Sequence, residues 1–178
     1  MIRTVAVAFV AALVVAVPAC RDAPAESTMA ASKGPRSVGY DLRRLRPKNE
    51  EKLADMFERL RTQALKEGKH VAVLFSADWC EPCRKLQLEL GNMQPEDAIG
   101  HVRILELVEE DWEAATRLDE FEGLRARWYD QPASYPVFVV LDDAGGKVEE
   151  MKEAIERLEG AGVEPTVANW FRGLSRAG

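Results

Sequence analysis

Val71-Ala72-Val73-Leu74-Phe75-Ser76-Ala77-Asp78-Trp79-Cys80-Glu81-Pro82-Cys83 is the stretch that decides the reading of this chain. The apolar run Val71–Phe75 predicts a buried strand, and Arg84 to Leu90 predicts a helix. Between them stand two cysteines three positions apart. At a helix start Cys80 meets unpaired backbone N–H groups and the positive end of the helix dipole, and both favour a thiolate. Cys83 lies one turn further in, close enough to attack a mixed disulfide formed at Cys80. Pro82 fits the first helical turn, where its missing N–H is no loss. The pattern points to a redox dithiol, with Cys80 and Cys83 as the catalytic pair and no cofactor besides their disulfide.

Two other uses of a C-x-x-C pair stay open. Half of a zinc site would need further ligands, and the chain has no second C-x-x-C; its two histidines, His70 and His101, stand far apart in sequence. No metal is therefore expected. A static structural disulfide is the other use, in keeping with the oxidising compartment that the N-terminus suggests.

Residues 1–19 carry Arg3, an apolar run from Val5 to Val17, and then Pro18-Ala19 before Cys20. This is the layout of a bacterial export signal, too short for a comfortable membrane span. Val17-Pro18-Ala19-Cys20 resembles a lipobox, which implies cleavage before Cys20 and lipidation of that cysteine, although Pro18 departs from the usual residue. Ordinary cleavage after Ala19, or a retained anchor helix, are the alternatives. Cysteine arithmetic favours lipidation, because three cysteines less Cys20 leave one pair. Loss of residues 1–19 removes only Arg3 and moves the formal charge from −6 to −7. So acidic a protein is not expected to bind nucleic acid or to adhere electrostatically to anionic lipid. Residues 20–47 then read as a lipidated terminus and flexible tether, and 48–178 as one domain.

Along that domain helical and strand patterns alternate. Asn49 is placed to cap a helix with Leu53, Met56, Phe57, Leu60 and Ala64 on one face, ended by Gly68. A strand over Val102–Val108, a helix over Asp111–Trp128, a strand over Pro136–Leu141 and a closing helix over Pro165–Leu174 follow. The stretch 149–162 fits either a helix or a sheet edge. Strands interleaved with helices predict an α/β fold of three layers.

Phe75 to Cys83, together with Ser134-Tyr135-Pro136 downstream, resembles the thioredoxin superfamily, over roughly residues 49–178. Within it the chain looks closer to bacterial extracytoplasmic thioredoxin-like lipoproteins of the thiol:disulfide interchange type, and to the C-terminal domain of transmembrane reductant carriers, than to cytosolic thioredoxin. The resemblance implies a thioredoxin-like three-layer α/β/α sandwich around a central mixed sheet. It implies that Cys80 is the nucleophile and Cys83 the resolving thiol, that Trp79 flanks them, and that Pro136 is a cis-proline opposite. Tyr135 would then offer backbone groups to a substrate peptide, so Trp79, Tyr135 and Pro136 form the implied substrate-binding set.

The chain departs from the family pattern at three places. The buried acid that thioredoxins keep six residues before the nucleophile is Leu74 here, and the helix-kinking proline after the second cysteine is Leu88. The separation of Cys83 from Pro136 implies an insertion near Trp112–Trp128. Glu81 and Pro82 are the residues between the cysteines that would tune the couple. The negative charge of Glu81 should raise the Cys80 pKa and favour the disulfide.

Two functions of different class follow. One is a monomeric, lipid-anchored oxidoreductase on the periplasmic side of a bacterial envelope. It would exchange disulfides with exported proteins and be renewed by a membrane thiol-reductant carrier. The other is a peptide-binding module with an inert disulfide, its groove lined by Trp79, Tyr135, Trp128 and Tyr129.

Overall fold

The computed structural model describes residues 36–129, 131 and 134–174. The export signal, Cys20 and the first part of the tether lie outside the described residues.

Fourteen elements follow one another among the described residues. They are β1 (Ser37–Val38), β2 (Asp41–Arg44), α1 (Leu53–Lys66), β3 (His70–Ser76), α2 (Glu81–Leu90), β4 (Gln94–Pro95) and α3 (Glu96–Ile99). Then come β5 (Val102–Val108), α4 (Glu109–Ala114), α5 (Leu118–Arg125), β6 (Val137–Leu141), β7 (Lys147–Glu150), α6 (Met151–Gly160) and α7 (Val167–Leu174). The main sheet runs β2-β5-β3-β6-β7; β1 and β4 form a separate antiparallel pair. β2, β5 and β3 are parallel, whereas β6 is antiparallel to β3 and β7 to β6. The sheet is therefore mixed.

Strand periodicity divides the core. Val71, Val73 and Phe75 of β3 face a cluster with Phe57 of α1, Trp112 of α4 and Phe121 of α5. Ala72 and Leu74 face the other cluster, with Leu86 of α2, Ile99 of α3, Leu158 of α6 and Trp170 of α7. Helices thus cover both faces, and the three layers expected from the sequence are present. β3 and β5 end together, at the pole where the cysteine loop leaves β3 and α4 leaves β5, and β2 stops two residues short of it.

Three expectations are corrected. The tether expected over 20–47 does not extend that far, because Asp41–Arg44 forms an edge strand of the sheet and Leu45 is 1% exposed. Within Asp41–Arg44 only Leu42 is apolar, and the strand's partners are remote: β5 supplies the backbone ladder, while Asp41 pairs with Lys69 at 2.5 Å and Arg103 at 2.8 Å.

The first helix begins at Leu53, not after Asn49, whose φ is 48°. Its terminus is satisfied from a distance, since the Leu53 N–H donates to Glu120 Oε2 at 2.7 Å. Arg117 holds that carboxylate at 2.6 Å and also donates to the Glu51 carbonyl at 2.6 Å. The single helix expected over 111–128 is two, α4 and α5, broken at Thr116 with φ 56°. The break lets Trp112 and Phe121 both reach the core, each 0% exposed. The stretch 149–162, left open by the sequence, ends β7 and then forms α6.

Candidate active site

β3 is buried from Val71 to Ser76 and delivers the chain to one end of the sheet. There the loop Ala77-Asp78-Trp79 turns into α2. Cys80 is the cap residue of that helix: its N–H donates to the Ala77 carbonyl at 3.1 Å, and its Sγ accepts from the Cys83 N–H at 3.1 Å. Pro82 sits in the first turn, as its ring requires. Cys80 and Cys83 are joined as a disulfide with their Cα atoms 5.2 Å apart.

The two sulfurs are not equivalent in position. Cys80 is the cap residue and Cys83 lies in the first turn of α2, and both are buried. Beside them Trp79 is 61% exposed, its ring 5.7 Å from that of Tyr135. Tyr135 precedes Pro136 through a cis peptide and packs against the small cluster of Ala77, Cys80 and Cys83. Thus Trp79, Cys80, Cys83, Tyr135 and Pro136 share one surface, although residues 83 and 135 are far apart in the chain.

Charged residues that the sequence did not single out complete this surface. Glu110 Oε1 accepts from the Asp78 N–H at 2.9 Å and fixes the loop before Trp79. The Tyr135 hydroxyl is pushed up to about 12 by burial and then by the Glu109 charge, with which it also hydrogen-bonds. Arg125 places its guanidinium carbon 5.9 Å from the Tyr135 ring centre and donates to the Gln131 carbonyl at 2.9 Å. Glu109 and Glu110 follow directly on β5, so the parallel ending of β3 and β5 brings them here. The detectable sign in the sequence is an acidic pair at the end of a strand.

Glu81 is exposed and does not act as a lone negative charge. It pairs with Arg84 and with Lys85 at 3.9 Å, and the Arg84 hydrogen bond holds its carboxyl below the ordinary value. The effect expected of Glu81 on Cys80 is therefore opposed by these two cations. Arg84 also donates to the Asp78 carbonyl at 3.2 Å.

Trp128 and Tyr129 belong to the core side. Trp128 stacks at 5.4 Å from Phe57 and 6.3 Å from Phe75, and its indole N–H donates to the Gly145 carbonyl at 2.9 Å. Tyr129 packs against the same cluster. The groove role considered for them from sequence is not what the fold gives them. His70 and His101, distant in sequence, meet edge to face at 5.9 Å. Among the described residues no cluster of three or more histidine, cysteine or acidic side chains is arranged to hold a metal ion.

No family model matches this chain, and no curated protein does. Among solved structures, the chain is similar to a disulphide isomerase from Xylella fastidiosa Temecula1. The TM-score is 0.50 at 17% identity, over 74% of this chain and 98% of that one. Weaker likenesses are a poplar thioredoxin h, with TM-score 0.42 at 21% identity over 62% and 81% of the two chains. Another is the C-terminal domain of DsbD from Neisseria meningitidis in its oxidised form, with TM-score 0.39 at 24% identity over 55% and 80%. The fold is thioredoxin-like.

Proposed function

We propose that this chain is a thiol–disulfide oxidoreductase that exchanges disulfides with exported proteins in the bacterial envelope, held there by a lipidated Cys20. One observation carries the reading: a disulfide at the start of α2, with Cys80 as the cap residue and Cys83 in the first turn, beside an exposed Trp79 and the Tyr135-Pro136 turn. A helix-start sulfur with a backbone N–H pointing at it is suited to be the nucleophile and leaving group. The inner Cys83 is suited to resolve the mixed disulfide. Trp79 offers an aromatic face to a partner, and Tyr135 offers backbone groups beside the dithiol. The apolar run before Cys20 and the neighbouring tripeptide support export and lipidation, and a membrane thiol-reductant carrier would supply electrons.

Limiting alkylation of the reduced protein, read by peptide mass spectrometry, should label Cys80 before Cys83. In cells, Cys83→Ser should trap mixed disulfides with exported proteins, whereas Cys80→Ser should trap almost none. Equal labelling together with no trapped partner would support the inert-disulfide module instead.

A further inference from the structure

Trp79 is 61% exposed, and its ring meets that of Tyr135 edge to face at 5.7 Å. A side chain with so little packing of its own takes its place from the backbone it stands on. That backbone is gripped on both sides of Asp78, the residue before it. Glu110 Oε1 accepts from the Asp78 N–H at 2.9 Å, and Arg84 of α2 donates to the Asp78 carbonyl at 3.2 Å.

The facing wall is tied to the same short segment. The Tyr135 hydroxyl hydrogen-bonds to Glu109, the residue before Glu110. Arg125 of α5 lies over the ring, and the Phe121 ring is 6.5 Å away. Two adjacent carboxylates at the end of β5 thus reach the two aromatics that flank the dithiol. Oε2 of each is buried without a hydrogen-bond partner among the described residues, a cost to the fold that points to another role.

The segment that carries them is itself fixed. Val108 before it and Trp112 after it are each 0% exposed. Asp111 is held by Arg44 of β2 at 2.7 Å and lies 3.6 Å from Arg46. Glu109 and Glu110 therefore project from a rigid base, which is the condition for one side chain to position another.

We propose that Glu110 is a positioning residue for client docking: with Glu109 on the opposite wall, it sets Trp79 against Tyr135 as one aromatic face that binds the polypeptide carrying the target disulfide. The inference rests on the exchange activity proposed above. The exchange itself runs between sulfurs and uses neither carboxylate. Their effect falls on binding, because a wall ordered in the folded protein need not be ordered again when a client arrives.

Two other uses of the acids make different demands. A carboxylate serving only the dipole of α4 would change stability and not client affinity. One that attracted cationic clients would act through its charge, and an amide would not replace it.

Reduction of insulin by dithiothreitol, catalysed by the purified full-length protein, reads client handling. Reduction of bis(2-hydroxyethyl) disulfide, too small to span the aromatic face, reads exchange alone. Glu110→Ala should lower kcat/KM with insulin about tenfold, mainly through KM, and should lower the small-disulfide rate far less. Glu110→Gln keeps an oxygen for the Asp78 N–H and should recover most of the loss. Tyr135→Phe should also raise KM, and adding Glu109→Ala to it should bring little further loss, since the hydroxyl is already gone. Should Glu110→Ala fail to fold, this second pair decides, and additive losses overturn the inference. Equal losses with both disulfides overturn it, as does Glu110→Gln as impaired as Glu110→Ala, which would give the role to charge. A wild-type protein no better with insulin than with the small disulfide overturns it too. If neither disulfide is turned over, the oxidoreductase reading fails and the inference falls with it.

Discussion

Glu81 shows how a neighbour can cancel a charge that sequence places beside a reactive group. With Arg84 and Lys85 paired to it, its field at Cys80 is largely compensated. Glu81→Gln removes the anion and leaves both cations, so the Cys80 thiolate should be favoured and the couple should become more oxidising. The three charges are exposed, so the shift should be small and should shrink as salt is added. Equilibration against glutathione at low and high ionic strength measures both effects; a more reducing variant would contradict them. The pairing of Cys80 with Cys83 was legible from their spacing, and the placing of Trp79, Tyr135 and Pro136 beside them from the resemblance to a known family. Glu109, Glu110 and Arg125 were not, because what brings them to the dithiol is the shared end of β3 and β5 and the packing around Tyr135.

Elements differ in the same way. β3, β5 and β6 were readable from continuous apolar runs, as strands buried on both faces must be. β2 was not, since Asp-Leu-Arg-Arg becomes a strand only through remote partners. Burial would raise the Asp41 carboxyl, but hydrogen bonds from Lys69 and Arg103 outweigh it and hold the group below its ordinary value of 3.8. A carboxyl depressed in the folded state stabilises the fold above its unfolded pKa, and that contribution is lost as the pH falls through the folded value. Acid should therefore weaken the wild-type protein below about pH 4 more than it weakens Asp41→Asn. At neutral pH Asp41→Asn should itself cost about 2 kcal/mol. Urea melts at pH 3 and pH 7 measure both quantities. α1 also depends on a distant residue, for Glu120 caps it from α5. Glu120→Ala should lower stability by about 1 kcal/mol, the ordinary loss of a helix cap, which thermal melts of the two proteins would reveal.

For the whole molecule, the three-layer architecture followed from the alternation of patterns, but the point at which the domain begins did not. Among the described residues no helix is long and apolar enough to cross a membrane. Attachment under the proposed function is assigned to Cys20, which lies outside those residues. Mass spectrometry should find acyl chains on an N-terminal Cys20 peptide, and Cys20→Ala should leave the membrane fraction. A wild-type protein that fractionates as soluble, or a variant that stays bound, would remove the anchor and leave the dithiol chemistry intact.

The parallel run of β2 beside β5 and β3 also gives the domain a polarity. The chain enters β2 at Asp41, level with Val71, whereas the dithiol follows Ser76 at the far end of the neighbouring strand. Root and mouth are thus at opposite poles. An anchored domain standing upright would present Cys80 outward, to soluble clients diffusing past, and away from any donor embedded in the lipid. To be recharged from below it would have to tip over. Residues 21–36 allow roughly 55 Å of contour at full extension. That exceeds the ~35 Å breadth of a domain of this size. If Cys20 carries the anchor as proposed, that length would allow the domain to invert, and one dithiol could then meet clients on one side and a membrane donor on the other.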